Sequence, residues 1–343
     1  MAAAQVTPLR ALMFTSELKT LSYKISTSSA RFALLRNGQN PAVVFTQVYT
    51  AGYNGIVTVY DLDKILEYAI DGAFDSFSIQ IDGVALGSSI TVFSCHSNPG
   101  IPATEFLKDR FLTSCTGIRD TCPGRHELLN AYITDAEPVS AVCTYLSAGT
   151  LTSKVVPLST ATGFLQLDVS PAKFVSATDG RLVAYEIVSG RRKARFRVSQ
   201  TLPAADPEVI FLNAFGVWET FHFTGKKETK ADYTRSQAMM RCQLTPYVIE
   251  EKVSFKAQTG PVMKGVLPMV YDIGRSRQIH LLRSDGSAGE LIVVTDSDLK
   301  HSNLDDEISD VSITYCYADH SLTRIEMARA PRIFDNTFDD TYE

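Results

Sequence analysis

The stretch that decides the fold of this chain is Glu208-Val-Ile-Phe-Leu-Asn-Ala-Phe-Gly-Val-Trp-Glu-Thr-Phe-His-Phe-Thr-Gly225. It contains the chain's single tryptophan, and an apolar run at residues 209–212 is followed by turn-forming residues at 213–216 and a second apolar run. In that second run, Val217, Glu219, Phe221 and Phe223 fall on one face of a strand, whereas Trp218, Thr220, His222 and Thr224 fall on the other. The stretch therefore predicts an aromatic β-hairpin at the centre of a β-domain.

The composition is that of an ordinary folded protein with a β-rich architecture. The 343 residues allow two or three domains with sizeable cores. Apolar residues make up 45% and charged residues 21%, which excludes a disordered or collagen-like chain. β-Branched and aromatic residues are abundant and long helical periodicities are few, which favours strands. The net charge of −5 provides no general attraction to nucleic acid or to an anionic membrane.

The first hundred residues carry short apolar runs separated by turn signals at intervals of roughly ten residues. This spacing predicts strands at 11–14, 21–25, 30–35, 43–48, 55–60, 76–81 and 89–94. Leu62, Ile65, Leu66 and Ala69 recur at helical spacing, which predicts a short helix over 61–70 with Asp61 as its N-cap. Residues 95–130 break the pattern and are interpreted as a long loop excursion with a little helix.

The remainder of the chain completes one module and adds a second. Strands are predicted at 131–134, 139–146, 152–157, 164–169, 182–188 and 194–199. Those from 150 to 200 complete an N-terminal β-sandwich module over 1–202 or form a small second module. A Pro-rich linker candidate follows at 203–207. The C-terminal β-module over 208–330 has predicted strands at 248–257, 278–282, 290–295 and 308–317 and a short helix at 261–269. Its polar stretch at 226–241 is interpreted as a long loop or a projecting arm.

The end of the chain, residues 331–343, lacks periodicity and is interpreted as an extended acidic and aromatic tail. The predicted fold is thus mainly β, with two or more β-sandwich-like modules, one or two short helices and an extended C-terminal tail. The tail's acidic residues are Asp335, Asp339, Asp340 and Glu343, and its large apolar residues are Ile333, Phe334, Phe338 and Tyr342. One interpretation is a disordered terminus. The other, favoured by the aromatic content, is a segment that docks on a neighbouring subunit.

A basic strand offers a candidate surface for that tail. Around residues 191–198, Arg191, Lys193, Arg195 and Arg197 alternate with Ala194, Phe196 and Val198, which predicts one cationic face and one core face. The cationic face is interpreted either as an anion- or partner-binding surface or as an exposed or edge strand protected from aggregation by charge. Nucleic-acid binding is disfavoured because the aromatic side chain faces away from the basic side chains. The candidate subunit interface comprises Arg191, Lys193, Arg195, Arg197, Ile333, Phe334, Phe338, Asp339, Asp340 and Tyr342.

The six cysteines lack any CxxC pair and are expected to be free thiols in a protein folded in a reducing cytoplasm. Two alternatives remain: a disulfide, or a zinc site drawn from Cys95, His96, Cys115, Cys122, His126 and Cys143. No sequence motif of hydrolases, metalloproteases or nucleotide-binding enzymes is present. We therefore expect no enzyme, no catalytic residue, no cofactor and no metal. The sequence also lacks a secretory signal pattern and an apolar run long enough to span a membrane.

Several segments resemble uncharacterised tail-region proteins of tailed phages and prophages of gut bacteria. These segments are the aromatic hairpin, residues 111–129 (Phe111-Leu-Thr-Ser-Cys-Thr-Gly-Ile-Arg-Asp-Thr-Cys-Pro-Gly-Arg-His-Glu-Leu-Leu129), residues 290–298, residues 311–319 and residues 332–340. The resemblance covers much of residues 100–343, and its motifs are structural rather than catalytic.

The resemblance implies a structural subunit of the virion that forms a ring in the distal tail, baseplate or neck. Its partners would be further copies of itself and neighbouring virion proteins, with no membrane and no sequence-specific nucleic acid among them. It would be located in the virion after assembly in the bacterial host cytoplasm. The alternative is a carbohydrate-binding or adhesin protein, with Trp218, Glu219 and His222 as a candidate sugar platform. A third possibility, an enzyme on a β-scaffold, has no motif in its favour.

Overall fold

The computed structural model describes residues 4–38, 42–175, 178–200, 205–240, 243–299 and 310–319. Strands account for 53% of the described residues, so the prediction of a mainly β fold is confirmed. Three α-helices and four short 3₁₀ turns complete the described secondary structure. The 3₁₀ turns lie at Thr15–Glu17, Tyr53–Gly55, Pro171–Lys173 and Lys264–Val266.

The first unit consists of two sheets around one core. Its elements are β1 (Ala4–Gln5), β2 (Leu12–Phe14), β3 (Thr20–Lys24), β4 (Ser29–Arg36), β5 (Ala42–Thr50), β6 (Ile56–Tyr60), α1 (Leu62–Ala69), β7 (Phe74–Ile81), β8 (Val84–Ala85) and β9 (Ile90–Phe93). One sheet has the order β1-β3-β6, and the other has the order β2-β9-β7-β4-β5, with β8 beside β7. Apolar side chains such as Leu21, Phe32 and Val59 form the core, and Leu62 and Leu66 of α1 pack into it.

The second unit is built from α2 (Ala103–Asp109), β10 (Ile118–Thr121), β11 (Leu128–Ile133), β12 (Val139–Ser147), β13 (Thr150–Ser159), β14 (Gly163–Asp168), β15 (Arg181–Ser189) and β16 (Arg192–Val198). A five-stranded sheet has the order β10-β16-β15-β12-β13, and β11 pairs with β14 in a separate two-stranded sheet. β10 runs parallel to β16, whereas the other pairs of the five-stranded sheet are antiparallel. Phe111, Tyr145 and Phe196 lie in its core.

The third unit is a seven-stranded sheet with one helix. Its elements are β17 (Glu208–Leu212), β18 (Trp218–His222), β19 (Lys227–Met240), β20 (Gln243–Gln258), α3 (Leu267–Arg275), β21 (Ile279–Leu282), β22 (Ala288–Asp298) and β23 (Ser312–Tyr317). The strand order is β18-β17-β21-β22-β23-β20-β19. Phe211, Phe255 and Tyr315 from the sheet pack with Val270 and Ile273 of α3.

The three units meet at one apolar cluster, which we call the junction cluster. It contains Phe14 and Phe93 of the first unit, Phe106 of α2 and Phe215 of the turn between β17 and β18. Ring centroids lie 5.4 Å apart for Phe14 and Phe106 and 5.0 Å apart for Phe106 and Phe215. The sequence interpretation placed 1–202 in a single module, whereas the described residues of this range form two separate cores. The junction cluster then joins those cores to the third unit.

Three local predictions differ from the structure. The segment 95–130 is mostly loop with one short helix, α2, as interpreted, but it also contains the unpredicted strand β10 and the start of β11. The stretch 226–241 is not a long loop, because residues 227–240 form β19 and pair with β20. Asp61 precedes α1 as predicted, but it has a left-handed backbone (φ 55°) and its side chain makes no capping hydrogen bond. Its carboxylate instead forms a salt bridge with Lys64 at 2.7 Å.

Candidate functional site

The aromatic hairpin forms as predicted, as the antiparallel pair β17–β18. Phe211 lies opposite Glu219, and Val209 lies opposite Phe221, on either side of a turn at Asn213–Gly216. Phe211, Phe221 and Phe223 are buried in the core of the third unit. The other side of β18 faces β11, where the Asn130 side chain donates to the carbonyl of Trp218 at 2.7 Å. The hairpin therefore joins the second and third units rather than standing alone.

A buried ion pair lies at this contact between units. Glu219 of β18 is 1% exposed and Arg119 of β10 is 6% exposed, and the guanidinium donates to the carboxylate. Glu219 also accepts hydrogen bonds from Thr113 Oγ1 at 2.6 Å and from Asn213 Nδ2 at 2.9 Å. Burying two charges is costly unless each is well paired, so this geometry fixes how β10 meets β18.

His222, three residues after Glu219 in β18, extends the charged network. Its Nε2 donates to the carbonyl of His126 at 3.2 Å and lies 3.4 Å from the carboxylate of Glu127, while Nδ1 lies 3.8 Å from Glu208. Burial alone would lower the pKa of His222, but the neighbouring carboxylates of Glu127 and Glu208 outweigh it and raise that pKa. Burial likewise opposes ionisation of Glu127, yet His222 and Arg119 hold the pKa of its carboxyl below the ordinary value.

This network makes the stability of the protein depend on pH. The raised pKa of His222 stabilises the folded state fully below about pH 6.5, and the contribution is lost as the pH rises through the folded-state pKa. The lowered pKa values of Glu127 and Glu208 stabilise the fold above about pH 4.3, and this is lost on acidification. We expect the free energy of unfolding to fall between about pH 6 and pH 8, with a smaller slope in His222→Gln. Urea titrations at each pH measure it, and equal slopes in both proteins would contradict this role of His222.

A small cavity of about 80 Å³ adjoins the network. Its polar wall includes Arg119, Glu127 and His222, and its apolar wall includes Phe221 and Met263. Arg119 Nη1 and His222 Nδ1 have no hydrogen-bond partner among the described residues. The volume is enough for several waters, which could satisfy these two nitrogens.

The candidate sugar platform is not assembled on the surface. Trp218 is half-buried, and its ring lies edge-on to His280 with centroids 5.8 Å apart. Glu219 faces inward in its ion pair, and His222 is 8% exposed inside the charged network. Of the three residues, only Trp218 offers any substantial surface to a glycan.

The basic strand alternates as predicted but is not an edge strand. Lys193, Arg195 and Arg197 of β16 are exposed, whereas Phe196 and Val198 are buried. β16 lies between β10 and β15, so it is an exposed strand but not an edge strand. No pattern in the sequence predicted β10, the short polar strand that pairs with β16. Arg195 forms a salt bridge with Glu186 at 2.8 Å, and Arg197 forms one with Asp120 at 2.5 Å.

The start of the basic strand lines a groove of about 330 Å³, which we call the basic groove. Its exposed cationic side chains are Arg110, Arg191, Lys193 and Arg195; the buried Arg119, paired with Glu219, and the carboxylate of Asp109 also line it. Its apolar side chains include Phe111, Cys115, Ile118 and Ala194. Arg191 lies 3.6 Å from Asp109. Arg197 lies outside the groove. The tail residues predicted to share this interface, Ile333, Phe334, Phe338, Asp339, Asp340 and Tyr342, fall outside the described residues.

Arg192 is a buried charge that the sequence pattern did not reveal. It is 1% exposed although it begins a basic run. Its Nε donates to the carbonyl of Leu107 at 2.8 Å, and its Nη1 contacts Glu137 at 2.9 Å. These bonds anchor the end of α2 beside the basic groove.

A long β-hairpin extends from the third unit. β19 and β20 pair from Lys227↔Ala257 to Met240↔Gln243 with one register shift at Ser236/Gln237, while the described part of β23 pairs with β20 at residues 255–258. Among the described residues, 228–240 and 243–254 thus form a two-stranded ribbon, which we call the hairpin arm. Thirteen residues at about 3.3 Å each give it a length on the order of 40 Å. All side chains from 228 to 235 are exposed, so no face of this stretch is packed on the body.

The root of the hairpin arm is aromatic and well packed. Phe255 stacks on Tyr315 with ring centroids 5.2 Å apart, and Lys227 Nζ lies 4.8 Å from the centroid of the Phe255 ring. Farther out, the strands are linked by polar contacts such as Tyr233 Oη to Glu251 at 2.7 Å. The root therefore holds the arm to the sheet, and the outer part relies on its own strand pairing.

The five described cysteines are free thiols. Cys95, Cys143 and Cys316 are buried, and burial raises the pKa of Cys95 to about 11. Cys242 falls outside the described residues. Within the described ranges, no group of three or more His, Cys, Asp and Glu side chains is arranged to hold a metal ion.

Comparison with known proteins gives no relative: no family model and no curated protein matches this sequence. In the part of the chain that the structure covers, no helix has both the length and the apolar character needed to cross a membrane.

Proposed function

We propose that this chain is a structural subunit of a tailed-phage virion, which forms a ring in the tail, baseplate or neck. The observation that carries the proposal is the hairpin arm, which extends on the order of 40 Å with exposed side chains along the stretch 228–235. Two-stranded ribbons are only marginally stable alone in water. Contact with a neighbouring subunit would bury one face of the arm and stabilise it.

The body of the molecule suits the same role. The junction cluster and the Arg119–Glu219 ion pair hold the three units together, so the arm projects from a rigid support. An arm on one surface that binds a different surface of the next subunit produces a head-to-tail contact, and such contacts form a ring when the rotation between subunits closes. The resemblance of the hairpin and of residues 111–129 to phage tail-region proteins supports the virion as the location.

Shortening the arm tests the proposal. Replacing residues 232–252 with Asn-Gly keeps the paired residues Ala231 and Val253 beside a two-residue turn and leaves the root intact. We expect the shortened protein to melt within a few degrees of the intact chain, because most described side chains of the removed part, including 232–235 and 251–252, are exposed. We expect the shortened protein to fail to form the rings or oligomers that the intact chain forms, either alone or with neighbouring virion proteins.

The measurement is sedimentation velocity with negative-stain imaging over a concentration series. The matched control is Tyr233→Ser, which removes one exposed ring from the arm and keeps its length. Unchanged assembly after shortening would contradict the role of the arm. An intact chain that stays monomeric at every concentration and with every neighbouring virion protein would contradict the proposed function itself.

A further inference from the structure

We propose that the basic groove binds the acidic and aromatic segment 333–343 of a second copy of this chain. The inference rests on the proposed function, because it assigns one of the contacts between subunits of that oligomer. The groove of one subunit would bind the C-terminal segment of the next, and this contact does not involve the hairpin arm.

The groove has positive charge that the described residues leave unneutralised. Arg110 and Lys193 are exposed and form no salt bridge with any residue in the described ranges. Arg191 is 84% exposed at its side chain and lies 3.6 Å from Asp109, so solvent screens that pair strongly. Arg195 adds a further positive charge, although its guanidinium forms a salt bridge with Glu186. Clustered cations of one sign attract an acidic segment and orient it before contact.

The floor of the groove is apolar, which distinguishes it from a plain charged surface. Phe111 is buried beneath it, Ile118 is 38% exposed, and Cys115 is half-buried. The volume of about 330 Å³ lies at the lower end of the range for pockets that take up small ligands. An occupant with aromatic side chains for the floor and carboxylates for the rim would match both features.

The segment 333–343 has this composition. It carries four carboxylate side chains and no basic one, and Ile333, Phe334, Phe338 and Tyr342 alternate with them. Phe338 stands directly before Asp339 and Asp340, so one ring could enter the floor while the two carboxylates meet Lys193 and Arg110. Burial of the aromatic rings would provide most of the binding energy, and the charge pairs would fix the position of the segment along the groove.

The contact is assigned to a second copy because a ring needs two different complementary surfaces on each subunit. The groove lies in the second unit, whereas the described chain leaves the third unit after β23. A segment on one surface that fits a groove on another makes a heterologous contact, which propagates from subunit to subunit.

Peptide binding tests the groove and its occupant. A fluorescent peptide of residues 331–343 is titrated into the chain truncated after residue 330, and its anisotropy is measured at low and high salt. We expect saturable binding that weakens with salt. We expect at least a tenfold loss of affinity in the double variant Arg110→Glu, Lys193→Glu. The double variant Lys19→Glu, Lys24→Glu makes the same change in net charge at exposed positions on the first unit and should bind like the parent. Absence of binding, or equal binding by the double variant, would overturn the inference.

Cross-linking tests whether the contact joins two copies. The variant Asp340→Cys places a thiol in the tail, and Cys115 already lies in the groove. Under mild oxidation we expect disulfide-linked dimers and higher oligomers, which disappear when Cys115→Ser is added. A disulfide formed only within one chain would overturn the assignment to a second copy.

The two proposals fail in different ways. If the chain forms rings but the peptide does not bind and no cross-link forms, the groove inference is wrong and the proposed function stands. If the peptide binds while the intact chain stays monomeric under all conditions, the proposed function is wrong and the assignment to a second copy fails with it.

Discussion

Replacing Glu219 with Ala is expected to lower the free energy of unfolding by about 3–5 kcal/mol, the range for breaking a buried ion pair. The variant removes the carboxylate that Arg119, Thr113 and Asn213 share. The remaining acidic partner of Arg119 is Glu127, whose oxygen lies 4.0 Å from Nη1. A guanidinium that is 6% exposed has little access to bulk water, and the small adjoining cavity cannot replace the lost negative charge. Urea unfolding followed by the fluorescence of Trp218, which neighbours Glu219 in β18, measures the loss.

A double variant tests whether the loss of stability comes from the unpaired, buried charge of Arg119. Arg119→Met combined with Glu219→Leu removes both charges and fills similar space, and such replacements are often neutral or stabilising. We expect the double variant to unfold at a higher urea concentration than Glu219→Ala alone. A loss below about 1 kcal/mol in Glu219→Ala would be typical of an exposed pair and would contradict a buried, structure-determining one.

Phe215→Ala is expected to cost about 3–5 kcal/mol, the range for removing a large buried aromatic side chain. Phe215 is 4% exposed, and its ring lies 5.0 Å from Phe106 and 5.8 Å from Phe14 between centroids. The cavity would open where the three units meet, so the variant should also expose the ends of β2 and α2. Hydrogen exchange at these two elements, together with the unfolding midpoint, measures both effects.

Phe164→Ala provides the matched control. Phe164 is 38% exposed and touches Phe74 at a centroid distance of 6.1 Å, outside the centre of the junction cluster. We expect a loss of about 1 kcal/mol or less, as for most partly exposed positions. Equal losses in the two variants would show that the junction cluster does not hold the units together.

The sequence predicted those parts of the fold in which one face of an element is buried. The aromatic hairpin and β16 were found because apolar side chains alternate with polar ones, and α1 was found because Leu62 and Leu66 recur at helical spacing. In the hairpin arm, the strand at 248–257 was predicted, but β19 was interpreted as a loop or arm because its described side chains at 228–235 are exposed on both faces. Without a buried face, a strand lacks the alternation that identifies it.

The charged network was beyond sequence reasoning for a different reason. Arg119 and Glu219 are 100 residues apart, and each stands in a stretch where a surface charge would be unremarkable. Only the parallel pairing of β10 with β16 brings Arg119 to β18. Arg192 was likewise grouped with the basic run, although its contact with the carbonyl of Leu107 holds it inside.

The hairpin arm also has a mechanical consequence. Four residue pairs, from Phe255↔Tyr315 to Gln258↔Ser312, connect β20 to β23, and the ribbon beyond them is on the order of 40 Å long. A force on the distal end of the arm therefore produces a large torque at the short attachment around the Phe255–Tyr315 stack. The torque passes into β23 and on to β22 in the middle of the seven-stranded sheet. Tension on the arm in an assembled particle would thus be transmitted to the central strands of the sheet rather than to its edge strands.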